Sequence, residues 1–198
     1  MGSKPGLLVL LIGPSGVGKT VLAHRLLGRH PDWALGRSAT TRKRRPGEDD
    51  ELYRFVTDEE FQMLEKAGEF LEWAKVHNGA LYGTLRKDIL PALDAGNIVL
   101  REIDIQGLES LRQHPSFRRP DGQYSYCAIF LAPESPEQLI AHIHKRAPMP
   151  EEELERRLAS VKREMTFAPA CDTTILSHEG HIDDTASLLE KAILGNAT

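Results

Sequence analysis

The sequence predicts an α/β fold in three layers, with a parallel central sheet between helices, and three observations predict it. Short runs rich in Val, Ile and Leu alternate with amphipathic stretches, the pattern of strands buried on both faces by crossover helices. The Gly-rich turn from Gly13 to Gly18 follows the first apolar run directly and leads into a segment of helical period, the order of a strand, a tight turn and a helix. The stretch from Ser38 to Thr84 differs in kind, because it packs arginines, carboxylates and tyrosines around short strands. It reads as a small inserted subdomain.

Along the chain, Leu7 to Ile12 is a fully buried strand, and a helix is expected from about Lys19 to Leu27. Tyr53 to Val56 and Phe70 to Ala74 are short strands of the insertion. Between them, Thr57-Asp58-Glu59-Glu60 is a capping box that starts a helix ending near Gly68. Asn97 to Asp104, Tyr126 to Leu131 and Thr173 to Leu176 are further strands. Ser135-Pro136 supplies an N-cap and a first-turn proline for the next helix, which the turn from Ala147 to Pro150 breaks. Glu151 to Met165 is a charged amphipathic helix, and Asp184 to Leu194 a terminal one with Leu188, Leu189 and Ile193 on one face.

Composition limits the classes of function. The 198 residues are 40% hydrophobic and 27% charged, ordinary values for one compact unit with its own core. A net charge of −4 gives no general basic surface of the kind that grips nucleic acid through its phosphates. Anion binding therefore has to be local, and no nucleic-acid partner is expected. The apolar run Leu7 to Ile12 is far shorter than the roughly 20 residues that span a bilayer, and it lacks the flanks of a secretory signal. A cytoplasmic protein is expected, with no membrane contact and no protein partner evident. Cys127 and Cys171 have no C-x-x-C partner, so neither a zinc site nor a disulfide framework is expected.

Gly13-Pro14-Ser15-Gly16-Val17-Gly18-Lys19-Thr20 fits G-x-x-x-x-G-K-[ST] between a strand and a helix, the context that this phosphate-binding loop needs. Glycines let backbone N–H groups curl around phosphates, and the helix N-terminus adds its positive dipole end. These residues are the candidate ATP site, with Lys19 bridging the β- and γ-phosphates and Thr20 holding Mg²⁺ through its hydroxyl. Asp104, closing the strand from Ile98, is the candidate second metal carboxylate; it serves equally as an N-cap ahead of Ile105-Gln106-Gly107.

The acceptor has to be read elsewhere. Arg42-Lys43-Arg44-Arg45 places four cations in four residues, a run that is either a solvated basic loop or an anion site. Here the sequence resembles the guanylate kinase family, from Leu7 to about Leu194. Five segments carry the resemblance: the P-loop; Ser-x-Thr-Thr-Arg-x-x-Arg-x-Gly-Glu from Ser38 to Glu48; Phe70-Leu71-Glu72-Trp73-Ala74; Tyr82-Gly83-Thr84; and Glu102-Ile103-Asp104-Ile105-Gln106-Gly107.

The resemblance implies a P-loop NTPase-type fold over residues 5–196, with a core of 5–37, 85–140 and 166–196, a GMP-binding insertion at 38–84 and a helical lid at about 141–165. It implies transfer of the γ-phosphoryl of ATP to GMP, giving ADP and GDP, with Mg²⁺. It implies that Arg42, Arg45, Tyr53 and Tyr82 hold the GMP phosphate. Ser38, Glu72, Thr84 and Glu102 would read the guanine, with Gly83 in the same wall. Arg146 and Arg157 become lid cations that act with Lys19 and Arg45 in catalysis; without the family, Arg157 is a helix partner for Glu153. The chemistry is consistent, because guanidinium forks and phenol hydroxyls suit a dianionic phosphate. A carboxylate also matches the adjacent N1–H and N2 amino donors of guanine.

Three departures stand out. His142 replaces a lid arginine of most relatives, Arg101 lies where the family has an apolar strand residue, and Ser177-His178-Glu179 replaces the usual Asn-Asp pair near the donor base. A guanylate-kinase-like binding module without catalysis and a P-loop kinase for another acceptor are the rival expectations. Intact Gly18-Lys19-Thr20 opposes the first, and Glu72 with Ser38 and Thr84 opposes the second.

Overall fold

The computed structural model describes residues 6–44, 48, 50–75, 79–146 and 148–197. In chain order these form β1 (Leu7–Ile12), α1 (Lys19–Arg29), β2 (Ala34–Leu35), β3 (Ser38–Thr40), β4 (Tyr53–Phe55), α2 (Asp58–Lys66), β5 (Phe70–Lys75) and β6 (Leu81–Leu85). There follow α3 (Arg86–Asp94), β7 (Ile98–Glu102), α4 (Ile105–Gln113), β8 (Ser125–Pro133), α5 (Pro136–Arg146), α6 (Glu151–Met165), a short 3₁₀ turn (Ala168–Ala170), β9 (Thr173–Ser177) and α7 (Ile182–Asn196). Two compact units emerge: Met1–Leu8 with Asp32–Tyr126, and Val9–Pro31 with Cys127–Thr198.

In the first unit a four-stranded sheet runs in the order β4-β3-β6-β5. β3 is parallel to β4 and antiparallel to β6, and β6 is antiparallel to β5. Ala39 and Leu85 of the sheet and Phe61 of α2 form its core, packed by Val56, Leu64, Phe70 and Leu81. The capping box forms as expected: Thr57 accepts from the Glu60 amide at 3.1 Å, and Glu60 accepts from the Thr57 amide at 2.8 Å. Besides the short strands β2 and β3, β6 and α3 have no counterpart in the sequence reading. β6 is interrupted by Gly83 and short of an alternating pattern, and α3 contains Pro91, which lacks an amide and disfavours a helix interior. Elsewhere in this unit β2 pairs in parallel with β7, Ala34 opposite Val99 and Leu35 opposite Leu100.

In the second unit β1, β8 and β9 lie side by side in that order. β8 is parallel to β9, from Ile129 opposite Thr173 to Pro133 opposite Ser177. These pairings, with β2 and β7, are those of the parallel central sheet that the apolar runs predict. α1 starts at Lys19 as expected and runs two residues further at its C-terminal end, and α7 runs two residues further at both ends, as helix ends commonly do. Leu189 and Ile193 are fully buried on α7 together with Ala186, but Leu188 is exposed. Leu188 lies about 100° round the helix from Leu189, on the side away from Ala186, and falls outside the buried face, contrary to expectation. Ser135 caps α5 by accepting from the Gln138 amide at 3.1 Å. α5 and α6 are joined by their own core of Leu139, Ile140 and Val161, with Ile143, Leu154, Leu158 and Met165 against it.

Candidate active site

The register of the first unit's sheet explains how residues far apart in sequence reach one place. Ser38 lies opposite Tyr53 on one side and Thr84 on the other, and Thr84 lies opposite Glu72. Tyr53, Ser38, Thr84 and Glu72 therefore form one row across four strands, and cross-strand partners share a face. Tyr82, two residues from Thr84, shares that face because side chains alternate with period two. A shift in register between Phe70 and Glu72 admits Leu71 as an extra residue. Such a bulge re-aims the side chain that follows. Here it lets Phe70 enter the core while Glu72 joins the polar row.

That row is buried and tightly wired. Ser38 and Thr84 are inaccessible, and Glu72 is only 7% exposed. The Thr84 hydroxyl donates to Glu72 Oε1. Arg101, only 4% exposed, donates from Nε to Thr84 Oγ1 at 2.9 Å and from Nη1 to the Glu102 carbonyl, with Nη2 3.8 Å from Glu72 Oε1. Burial pushes the Glu72 carboxyl above its ordinary range, while the Arg101 charge and the Thr84 hydrogen bond pull it back. A Cβ on Gly107 would come within 2.8 Å of Glu72 Oε2, so this glycine leaves room for the carboxylate. Gly83 sits on the opposite face, where a Cβ would meet the Phe70 ring at 2.7 Å and Trp73 Cβ at 3.0 Å. Its absence of a side chain is explained by packing rather than by the polar row.

Arg42 emerges just beyond β3. Its Nη1 and Nη2 grip the Glu48 carboxylate at 3.0 and 2.7 Å, its Nε donates to the Tyr82 hydroxyl at 3.0 Å, and Nη1 also reaches the Lys43 carbonyl at 2.9 Å. The guanidinium lies 5.0 Å from the Tyr53 ring centre and 5.3 Å from that of Phe55. The Glu48 hydrogen bond chiefly raises its pKa, and burial chiefly raises that of the Tyr53 phenol. The fork is thus held by a carboxylate in the geometry that suits a phosphate. Arg44 turns aside, stacking on Phe55 at 4.4 Å and pairing with Asp50. Arg45 lies outside the described residues.

Glu102 ends β7, half-buried. Asp104 caps α4, its Oδ1 accepting from the Gly107 amide at 2.8 Å. The N-cap reading of Asp104 is therefore correct, and it leaves Oδ2 without a hydrogen bond among the described residues.

The P-loop belongs to the second unit. Gly13, Gly16 and Gly18 have φ of 144°, 90° and 103°, left-handed values that side chains disfavour. A Cβ on Gly13 would stand 2.3 Å from the Leu131 carbonyl oxygen, and one on Gly16 2.8 Å from Ile143 Cδ1 of α5. Lys19 donates to the Gly13 and Pro14 carbonyls at 2.5 and 2.9 Å, which fixes its ammonium over the loop. Thr20 follows on the first turn of α1. Ser177, at the end of β9, donates to the Val17 carbonyl at 3.0 Å. That brace was not foreseen, since it depends on a pairing 160 residues distant in sequence.

On α5, His142 shares a hydrogen bond of 2.5 Å with Glu179, which ties the helix to the loop after β9. His178 pairs with Glu134 at 2.8 Å and His181 with Asp184 at 3.3 Å. Arg157 pairs through Nε with Glu153 at 3.0 Å, one turn earlier on α6, the local partner that its spacing suggests. Arg146 closes α5; its side chain lies outside the described residues.

A Walker-type loop leading a helix, in an α/β chain with parallel strands, and a buried polar row on a separate small sheet fit a P-loop nucleoside monophosphate kinase. Comparison with known proteins specifies it further. The guanylate kinase family matches residues 6–195. The chain is 42% identical over 171 residues to the guanylate kinase of Streptomyces coelicolor, covering 86% of this chain and 82% of the relative. It is 38% identical over 196 residues to that of Thermosynechococcus vestitus, covering 98% and 96%. The crystal structure of guanylate kinase from Anaplasma phagocytophilum superposes with a TM-score of 0.74 at 29% identity, over 100% of this chain and 89% of that one. The chain belongs to the guanylate kinase family.

Proposed function

We propose that this enzyme transfers the γ-phosphoryl of ATP to GMP with Mg²⁺, and that it does so in the cytoplasm as part of purine nucleotide metabolism. The observation that carries the choice of acceptor is the buried row of Tyr53, Ser38, Thr84 and Glu72. Glu72 offers carboxylate oxygens to the two adjacent donors of guanine, N1–H and the N2 amino group. Adenine presents an acceptor at N1, which a carboxylate repels. The Ser38 hydroxyl, on the same row, is a donor for guanine O6, and Glu102 closes the base site from β7. Arg42 with Tyr82 and Tyr53 would take the GMP phosphate in exchange for Glu48, with Arg45 alongside.

On the donor side, residues 13–20 would wrap the ATP phosphates in backbone amides, with Lys19 leaving its own loop carbonyls for the β- and γ-oxygens. Thr20 and Asp104 Oδ2 are hard oxygen donors of the kind Mg²⁺ takes; Mg²⁺ would supply charge neutralisation on the phosphates. Residues 38–84 form the acceptor insertion and about 141–165 the lid in this reading, with Arg146 and Arg157 supplying positive charge to the transferring phosphoryl. The protein's work is to hold two phosphates in line and exclude water, with no covalent intermediate.

A coupled assay of ADP release with GMP, IMP, AMP, UMP and CMP tests this. GMP is expected to give the highest kcat/KM by at least about 10²-fold over AMP, as sites built on hydrogen bonds to the substrate achieve. Equal turnover with AMP or a pyrimidine would remove the assignment, and absence of ADP release with any acceptor would leave only a binding module.

A further inference from the structure

Arg101 is a buried charge inside β7, a strand whose other central residues, Val99 and Leu100, are fully buried and apolar. An unpaired ion there would be strongly unfavourable, so its partners define its purpose. They are the two residues placed to read the acceptor base. Arg101 donates from Nε to Thr84 Oγ1 at 2.9 Å, Thr84 donates to Glu72 Oε1, and Arg101 Nη2 stands 3.8 Å from the same oxygen. The direction of this chain is forced. A guanidinium only donates, so Thr84 has to accept from it. The single hydroxyl proton of Thr84 is then committed to Glu72 Oε1, and the guanidinium charge 3.8 Å from that oxygen favours the ionised carboxylate.

We propose that Arg101 is a positioning residue for acceptor-base specificity: by its charge beside Glu72, and by fixing the Thr84 hydroxyl on Oε1, it holds the carboxylate ionised, so that Glu72 Oε2 meets the base as an acceptor. It rests on the reading of Glu72 as the guanine-recognising carboxylate. Without Arg101, Thr84 is free to rotate its proton away and Glu72 can take up a proton of its own. The pocket would then present a donor as readily as an acceptor, and its preference for a base with adjacent donors would fall. Glu102 helps fix the guanidinium plane through its carbonyl. The charged and titratable groups acting on Glu72 are Arg101 and Asp104; those acting on Arg101 are Glu72, Tyr53, Glu102 and Asp104. Arg101 is the one cation among these, so its loss removes the opposite charge that favours the Glu72 carboxylate and leaves the repulsion of Asp104.

The experiment is the pH dependence of kcat/KM for GMP and for AMP, at saturating ATP, in wild type, Arg101→Leu, Arg101→Lys and Glu72→Gln. Arg101→Leu is expected to move the acid limb of kcat/KM for GMP to higher pH and to lose about tenfold or more near pH 6, since an opposite charge at this range commonly shifts a carboxyl by a unit or more. The loss should lie in KM for GMP, leave KM for ATP unchanged and lower the GMP-over-AMP ratio. Arg101→Lys restores the charge without the planar fork; it should bring the limb back toward wild type while the GMP-over-AMP ratio stays low. If Arg101→Leu does not fold, Arg101→Lys alone decides, and wild-type values for both limb and ratio overturn the proposal. An Arg101→Leu limb coinciding with wild type, with equal loss at every pH, also overturns it. Unchanged GMP kinetics in Glu72→Gln would instead remove the underlying reading of the base pocket.

Discussion

The P-loop and the proposed acceptor pocket are built by opposite means. The loop is a backbone device: three glycines with positive φ turn the chain at Gly13, Gly16 and Gly18, and its fixed charge, Lys19, sits on the loop's own carbonyls. The pocket is a side-chain device, in which Arg101, Thr84 and Glu72 satisfy one another inside the first unit and Arg42 is held by Glu48 and Tyr82. A backbone device tolerates no Cβ but asks little of its neighbours. A side-chain device depends on every partner in the chain of hydrogen bonds, so single substitutions should propagate through it.

The comparison breaks most sharply at Lys19. Lys19→Ala should lower kcat by on the order of 10³-fold, the scale seen when a charge aimed at a transferring group is removed, with KM for GMP little changed. A parallel rise in KM for GMP would mean that the two devices are not separate.

Glu72→Gln comes next. The amide keeps one acceptor and turns an N–H toward a guanine donor, and an unmatched buried donor costs about 1 to 3 kcal/mol, so kcat/KM for GMP should fall about 10- to 100-fold with KM for ATP steady. The pH profile sharpens this. Burial raises the pKa of Glu72, and the proposed reading needs its ionised form to take the guanine donors, so kcat/KM for GMP should decline as pH falls through that raised pKa. The decline should vanish in Glu72→Gln, which has no proton to gain there. A persisting acid limb would assign it to another group.

Arg42→Lys keeps the charge and loses the fork. One ammonium cannot reproduce the paired hydrogen bonds that the guanidinium makes to Glu48. KM for GMP should rise about tenfold, or roughly 1.4 kcal/mol. If lysine serves as well as arginine, the site is a field of charge rather than a fitted cradle.

The smallest effect is expected at His142. It is bonded to Glu179, and arginine there keeps a partner for that carboxylate while adding a permanent charge on α5. His142→Arg should raise the single-turnover rate at pH 8 by at most about tenfold, with GMP affinity unchanged. If neither His142→Arg nor His142→Ala changes that rate, the residue has no part in the transfer step.

The same contrast governs how much could be read from the sequence. Eight consecutive residues specify the loop, and strand, turn and helix follow from local pattern, so residues 13–20 were legible directly. The pocket draws on Ser38, Tyr53, Glu72 and Thr84, which become one row only through the register of four strands and a bulge at Leu71. Motif resemblance named those residues, but spacing alone could not have done so. Arg101 was visible as an anomaly, a cation in an apolar run. Its explanation needed β7 and β6 in three dimensions, although a buried charge already demands an opposite partner. Leu188 shows the converse, where apolar character suggested a buried position and the packing of α7 leaves it exposed. α3 went unread because Pro91 disguises it.

The most direct test of the whole account is calorimetric titration of GMP, without ATP, into wild type, Lys19→Ala and Glu72→Gln side by side. The account predicts that Lys19→Ala binds GMP within about twofold of wild type, while Glu72→Gln binds it about tenfold or more weakly. Equal weakening in both variants, or full-strength binding by Glu72→Gln, would contradict it.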